Sequence, residues 1–231
     1  PSVISQVVNA LYNIVDQIFI GQGVGYLGNG ATSVIMPLTV LAMALALLID
    51  QGAASYLSLK LGERDEESAA KGVGNAITML LIIGVVLTVL FNIFLRPLCV
   101  LFGATADNLP YALDYGRIIS CGILFFTIDS GMSGLIRADG SPKYSMVGLL
   151  VGCITNIILD PIFIFVCHWG VKGAAWATVI GQILNAIVCV AYIGKFKSIK
   201  LNKSHFILHG KTLWKICSMG TSSFITQISI V

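Results

Sequence analysis

Four aspartates, Asp16, Asp50, Asp129 and Asp160, fall inside long apolar runs of this chain, and no lysine does. A carboxylate at bilayer depth costs about 2.5–3.5 kcal/mol on insertion scales, so such groups are rare and mark ion pathways or proton relays. Repeated acid without a partnered base points to a cation or proton site rather than to internal salt bridges. The most concentrated example is NIILDP (156–161), within a stretch from Tyr144 to Cys167 whose one aspartate or glutamate is Asp160. Asn156 and Asp160 are four residues apart and share a helical face. Pro161 lacks an N–H, which withholds the helical donor from the carbonyl of Ile157 and favours a kink. That carbonyl, Asn156 and Asp160 together offer hard oxygen ligands of the kind Na⁺ uses. Desolvation can equally prepare an aspartate to bind a proton, so both readings stay open.

Two further polar stripes accompany this one. Gln6, Asn9, Asn13 and Asp16 recur at spacings of three and four, and Thr178, Gln182 and Asn185 do the same. Three polar faces turned away from lipid can enclose a hydrated pocket, although Asn, Gln and Thr also bond neighbouring helices directly. Asp129, with Ser133 one turn later, fits either role. Asp50 lies near the end of its run and can reach the interface. Asp114 and Arg117 suit a local pair.

These residues need spans to hold them. The 231 residues are 56% hydrophobic and 11% charged, with mean hydropathy +0.90. Soluble domains carry about 25% charged residues; so few charges cannot cover a water-facing surface. Six segments approach the roughly 20 apolar residues of a transmembrane helix: 1–20, 32–59, 73–95, 110–136, 144–167 and 173–194, with a seventh starting near Ile216. Their continuity argues for helices over a β-barrel. Pro37 lies in the second span and is a second kink position. No signal peptide is indicated, and the chain reads as a fragment cut at both ends. The six cysteines show no C-x-x-C, so neither a disulfide framework nor a transition-metal site is expected.

Lysine and arginine set the orientation. Connections 60–72, 137–143 and 195–215 hold eleven of the fourteen basic residues, which places them and the N-terminus in the cytoplasm. GERDEESAAKG reads as a solvated turn and helix start, its acids suited to a helix N-terminus. The stretch 195–215 interleaves lysines with Phe196, Ile199, Phe206, Ile207, Leu208 and Trp214. An amphipathic linker on the anionic inner leaflet explains that pattern better than nucleic-acid binding. After it, SSFITQIS (222–229) aligns with PSVISQVV (1–8) without gaps, Gln227 meeting Gln6. A repeat at that point suggests a second lobe beginning. The expected architecture is all-α integral membrane: a six-helix bundle (1–194) forming one lobe of a two-lobed, twelve-helix transporter. A basic linker (195–215) and the start of a seventh helix (216–231) follow.

YNIVDQIFIGQ (12–22), Pro37, LGERDEESAAKG (61–72), GLIRADGSPKYSM (134–146), NIILDPIFIF (156–165) and GVKGAAWATVIGQ (170–182) resemble the multidrug and toxic compound extrusion (MATE) transporters. The resemblance covers essentially the whole chain. It implies a multi-pass protein of the bacterial cytoplasmic membrane that exports amphipathic organic cations against Na⁺ or H⁺ by alternating access. It implies no other cofactor and a C-terminal lobe as partner. The family's N-lobe cation or proton site maps onto Asp16, Asn156, Asp160 and Thr178. GTS (220–222) departs from the G-x-P expected at the seventh span, and Asp50 and Asp129 match no family motif.

Other classes compete. GMSG (131–134) matches the G-x-S-G of rhomboid intramembrane proteases, which would make Ser133 a nucleophile, but His168, the candidate partner, precedes Trp169 and Gly170 in an external turn. His205 and His209 have metal-compatible spacing on a linker read as mobile, with two ligands only. A lipid-linked oligosaccharide flippase of the same superfamily would carry cationic cavity groups to meet pyrophosphate. A non-transporting scaffold would leave the buried acids without a role.

Overall fold

In the computed structural model, which describes residues 2–229, seven α-helices dominate and no strand occurs among the described residues. The side chains of residues 2–6, 9, 10 and 13 lie outside that description, and with them the expected cavity residues Gln6, Asn9 and Asn13. The helices are α1 (Ser2–Val24), α2 (Tyr26–Gly62), α3 (Glu66–Leu101), α4 (Leu109–Ala138), α5 (Pro142–Pro161), α6 (Val171–Ala191) and α7 (Gly210–Ile228). Five apolar helical segments, the stretches through α2, α3, α4, α5 and α6, are long enough to cross a membrane. In hydrocarbon each backbone N–H must find its partner within the segment, and long helices meet that demand. At 37 residues α2 is about 55 Å long, well beyond the roughly 30 Å hydrocarbon core.

The helix ends follow local rules. Asp65 caps α3 by accepting the Ser68 amide at 3.0 Å, and the Ser68 contacts hold its carboxyl below the ordinary 3.8. Glu66 and Glu67 occupy the first turn of α3, where the helix dipole favours acid. α4 closes with Ser141 N–H donating to Ile136 O and Gly140 N–H to Arg137 O, a Schellman motif with Gly140 at φ 78°. α5 ends at Pro161, and a single π turn, Ile162–Val166, continues it. The proline has helical dihedrals (φ −63°, ψ −31°), so the chain changes winding after it rather than stopping.

Two compact units share these helices. The first comprises Pro1–Thr39, Val86–Ile123 and Met146–Asn185. There Ile20 on α1 packs with Ile164 of the π turn and Ala174 of α6. α1 is two-sided: Val7, Leu11, Ile14 and Ile18 form an exposed apolar stripe, and Asp16 and Ile20 are buried. At bilayer depth that stripe faces lipid. Asp114 pairs with Lys172 at 3.3 Å, not with Arg117 as expected; the ammonium brought in by α6 gives it a partner from another helix.

The second unit comprises Val40–Val85, Leu124–Ser145 and Ala186–Val231. Its core joins Leu57, Val73, Leu80, Met132, Leu135 and Ile216. Here α7 crosses α2 in backbone contact: a methyl on Gly52 would overlap the carbonyl of Ile216, and one on Gly220 that of Leu48. α7 starts at Gly210, ahead of the expected 216, so Lys211, Trp214 and Lys215 are helical. The segment leading to it is not loose. Buried Asp139, from the α4–α5 turn, accepts from Tyr192 Oη at 2.6 Å and from the amides of Lys197 and Ser198, both at 2.9 Å. Burial opposes ionisation, but these donors outweigh it and hold the carboxyl below 3.8.

A depressed folded-state pKa gives stability that is present above the unfolded value and lost as pH falls through the folded one. Asp139→Asn is therefore expected to cost roughly 2 kcal/mol at pH 7, at the scale of hydrogen bonds to a charged group. In detergent thermal melts its gap from wild type should close as pH falls below 3.8. A pH-independent gap would contradict this account.

Candidate functional site

Asp16 reaches its position because α1 turns one face inward. On α5, Asn156 and Asp160 share the opposing face, and Thr178 comes from α6. All four are buried, Asp160 completely. The carboxyls of Asp16 and Asp160 are in hydrogen-bonding contact. With its amide nitrogen turned to Asp160, Asn156 donates to Oδ2 at 2.9 Å. Its oxygen then accepts from the Thr178 amide and hydroxyl, both at 3.2 Å. Three helices thus close one polar chain, Asp16–Asp160–Asn156–Thr178. The four residues grouped from the sequence meet in space.

The chain has an uncommitted end. Asp16 Oδ1 and Asp160 Oδ1 are buried without a hydrogen-bond partner. Adjacent buried carboxyls cannot both hold negative charge without a proton or cation between them. Two orphaned carboxylate oxygens are the donor set a small hard cation takes.

Two tyrosines were missed. The Tyr12 hydroxyl is hydrogen-bonded to Thr178 and lies close to both aspartates. Buried Tyr115, from α4, stands within electrostatic range of Asp16, Tyr12 and Asp160. Tyr12 was findable, since it precedes Asp16 by four and shares its face. Tyr115 had no such signal, because its partners lie on other helices.

The remaining stripe residues spread out. Gln182 lies against α4 at Gly122 and Asn185 against α5 at Gly152, so both sit at helix–helix contacts. The Gln182 carbonyl oxygen is buried without a partner. Pro37 lies within α2, which runs on unbroken.

In the second unit Asp129 is buried beside Ser130, whose hydroxyl donates to it at 2.9 Å. Asp50 does not reach an interface. It is fully buried and accepts from the Gly134 amide, from Gln51 at 2.9 Å and from Arg137 at 3.5 Å. The expectation of acids without a partnered base therefore fails at Asp50. Its base was assigned to a connection, but α4 runs to Ala138, and Arg137 in its last turn, though exposed, reaches the buried carboxylate. Gly134 admits the carboxylate, since a methyl there would overlap it. Ser133 is bonded to Arg137 at 2.6 Å and to Ser145 at 2.7 Å, neither of which is a general base. His205, expected on a mobile linker, is buried and faces Glu67 at 3.3 Å. His209 Nδ1 faces the Ile207 carbonyl at 2.8 Å.

The MatE family profile matches residues 1–162 of the chain. The chain belongs to the MatE family. It is 29% identical over 237 aligned positions to Multidrug export protein MepA of Staphylococcus haemolyticus (strain JCSC1435), covering 99% of this chain and 51% of that protein. It is 27% identical to the Probable multidrug resistance protein YoeA of Bacillus subtilis (strain 168), covering 85% and 43%. Among solved structures, an outward-facing multidrug resistance MATE family transporter of the MOP superfamily superposes with TM-score 0.90 at 26% identity. That match covers 98% of this chain and 50% of the other. An inward-facing structure of such a transporter gives 0.88 at 26% identity, covering 95% and 50%. The chain spans about half the length of the curated relatives it matches. These matches extend across the residues of both units and establish an all-α membrane transporter fold.

Gly134→Ala is expected to cost roughly 2–3 kcal/mol by displacing the Asp50 carboxylate from its buried partners. In detergent melts, combining it with Asp50→Ala should cost less than the two singly, because both break one contact. Simple additivity would show that the contact contributes nothing.

Proposed function

We propose that this chain forms one lobe of a cation-coupled antiporter that exports amphipathic organic cations by alternating access. The observation that carries the reading is the Asp16–Asp160 carboxyl pair with its two orphaned oxygens. A proton or Na⁺ entering there neutralises charge that apolar surroundings penalise. Its departure restores that charge, and Asn156, Thr178 and Tyr12 keep the carboxyls in place meanwhile. A site whose electrostatic state changes with one cation can bias two conformations of the lobe, by as much as the cation's affinities for them differ.

Three further observations support the reading. The chain superposes almost equally well on outward- and inward-facing transporters, as expected of a lobe that moves largely as a body. The ionisable groups of the cluster around Asp160 are carboxyls and phenols, which suits a cationic substrate better than a pyrophosphate-linked one. Curated relatives are named as multidrug export proteins. On this reading 1–194 is the first lobe, 195–215, whose last six residues are the first turns of α7, leads to a second lobe, and connections 60–72, 137–143 and 195–215 face the cytoplasm with the N-terminus.

Asp160→Asn is expected to abolish cation-dependent efflux of an organic cation such as ethidium from cells expressing the protein, while membrane insertion persists. ²²Na⁺ binding to purified protein, with and without Asp160, assigns the ion. Asp160-dependent binding means Na⁺, and its absence alongside pH-driven efflux means H⁺. Undiminished efflux in the variant would remove the site assignment.

A further inference from the structure

Residues 195–215 carry six lysines and no acidic residue. Among the described residues none of the six forms an ion pair. Lys195 lies over the Tyr144 ring, 5.5 Å from its centroid. The other five ammonium groups, on exposed residues, lack a protein counter-charge.

The backbone beneath them is fixed. At one end Asp139 holds the amides of Lys197 and Ser198, and Ile199 is buried in the core. At the other, fully buried Asn75 on α3 clasps the 3-10 turn Lys203–Phe206 and the extended residues between it and α7. Its amide nitrogen donates to His205 O at 3.1 Å and Ile207 O at 3.0 Å, and its oxygen accepts from His209 N–H at 2.7 Å. Thr78, one turn further along α3, donates to Phe206 O at 2.9 Å. This is a strap bound through its main chain, not a helix floating on a surface.

Bound that way, the strap turns Ile199, Leu201, His205 and Phe206 inward and leaves its lysines and the apolar residues that follow outside. Ile207 is 63% exposed, Leu208 is exposed beside it, and Trp214 is 77% exposed between Lys211 and Lys215 on the first turns of α7. Uncovered isoleucine, leucine and tryptophan set among unneutralised lysines match one environment in particular. At the headgroup boundary of an anionic leaflet, apolar side chains enter the acyl region and ammonium groups meet phosphates. Single-stranded nucleic acid would satisfy the charges and could stack on Trp214, but would leave Ile207 and Leu208 in water.

We propose that the strap 197–209 and the first turns of α7 form a preorganised docking surface for anionic phospholipid headgroups, with Asn75 as its positioning residue. Rigid display of the lysines makes the surface selective for lipid charge, because the cost of ordering them is met by α3 before any lipid binds. The inference uses the bilayer-spanning fold but not the transport cycle, so its test does not read efflux.

The test follows Trp214 fluorescence in a Trp169→Phe/Trp176→Phe background, with the chain reconstituted in vesicles. Brominated phosphatidylglycerol and brominated phosphatidylcholine are compared as quenchers at equal mole fraction. A relative association of about fivefold or more for phosphatidylglycerol is expected, since each interfacial lysine contributes measurably. Replacing Lys203, Lys211 and Lys215 together with Gln should bring the ratio to about one. Asn75→Ala should lower it at least about twofold with every lysine in place. Equal quenching of the unmodified strap by both lipids overturns the proposal. So does an RNA oligonucleotide that shifts Trp214 emission in phosphatidylcholine vesicles while the two lipids quench alike. A full ratio in a folded Asn75→Ala variant overturns the positioning role. Should that variant misfold, the triple lysine variant decides, because its side chains make none of the strap's hydrogen bonds.

Discussion

Burying Asp160 beside Asp16 is the constraint around which the first unit is built. Two carboxyls in an apolar bundle are tolerable only with a proton or cation between them and with donors supplied from protein. The fold meets the second demand with one donor and its supports: Asn156 of the same helix donates to Asp160, and Thr178 from α6, hydrogen-bonded in turn to Tyr12 of α1, holds that amide in place. The amide of Asn156 has to point one way to serve both Asp160 and Thr178, so each group fixes the orientation of the next. Packing in the same unit follows suit. Ile20, one turn beyond Asp16, is buried against the π turn that follows Pro161, so the apolar contacts lie next to the polar ones on the same helices.

The second unit answers the same problem differently. Asp50 is matched by a guanidinium and by backbone and side-chain N–H groups, and nothing is left over for an ion. A carboxylate committed in that way is structural. One with an orphaned oxygen is available. The contrast between Asp50 and Asp160, residues of one type at similar burial, separates scaffold from site more cleanly than their positions in the sequence do.

Much of this was legible beforehand, for identifiable reasons. Hydropathy located the helices because bilayer thickness imposes a length, and helical spacing grouped Asn156 with Asp160 because 3.6 residues per turn puts them on one face. Local spacing could not report partners from other helices. Asp114 was assigned to its neighbour Arg117 when Lys172 was the answer, and Arg137 was placed in a loop when it belonged to the end of a helix. The linker's expected mobility differs for a related reason. Its composition suits an amphipathic segment at the inner leaflet, but composition does not register that Asn75, 130 residues away from His205, donates to its backbone carbonyls. Tyr12 shares the face of Asp16, but a tyrosine in an apolar run also suits a lipid-facing or interfacial position, so its type alone does not mark it.

The crossing of α2 and α7 carries a mechanical consequence. Side chains that interlock resist sliding as cog teeth do, whereas at Gly52 and Gly220 backbone meets backbone with no teeth on either side. A contact of that kind transmits a push across its width and yields to rotation about the point of closest approach. At that crossing α7 is held close to α2 as a shaft in a plain bearing, and Ile216, buried in the core of the same unit, is the key that fixes it.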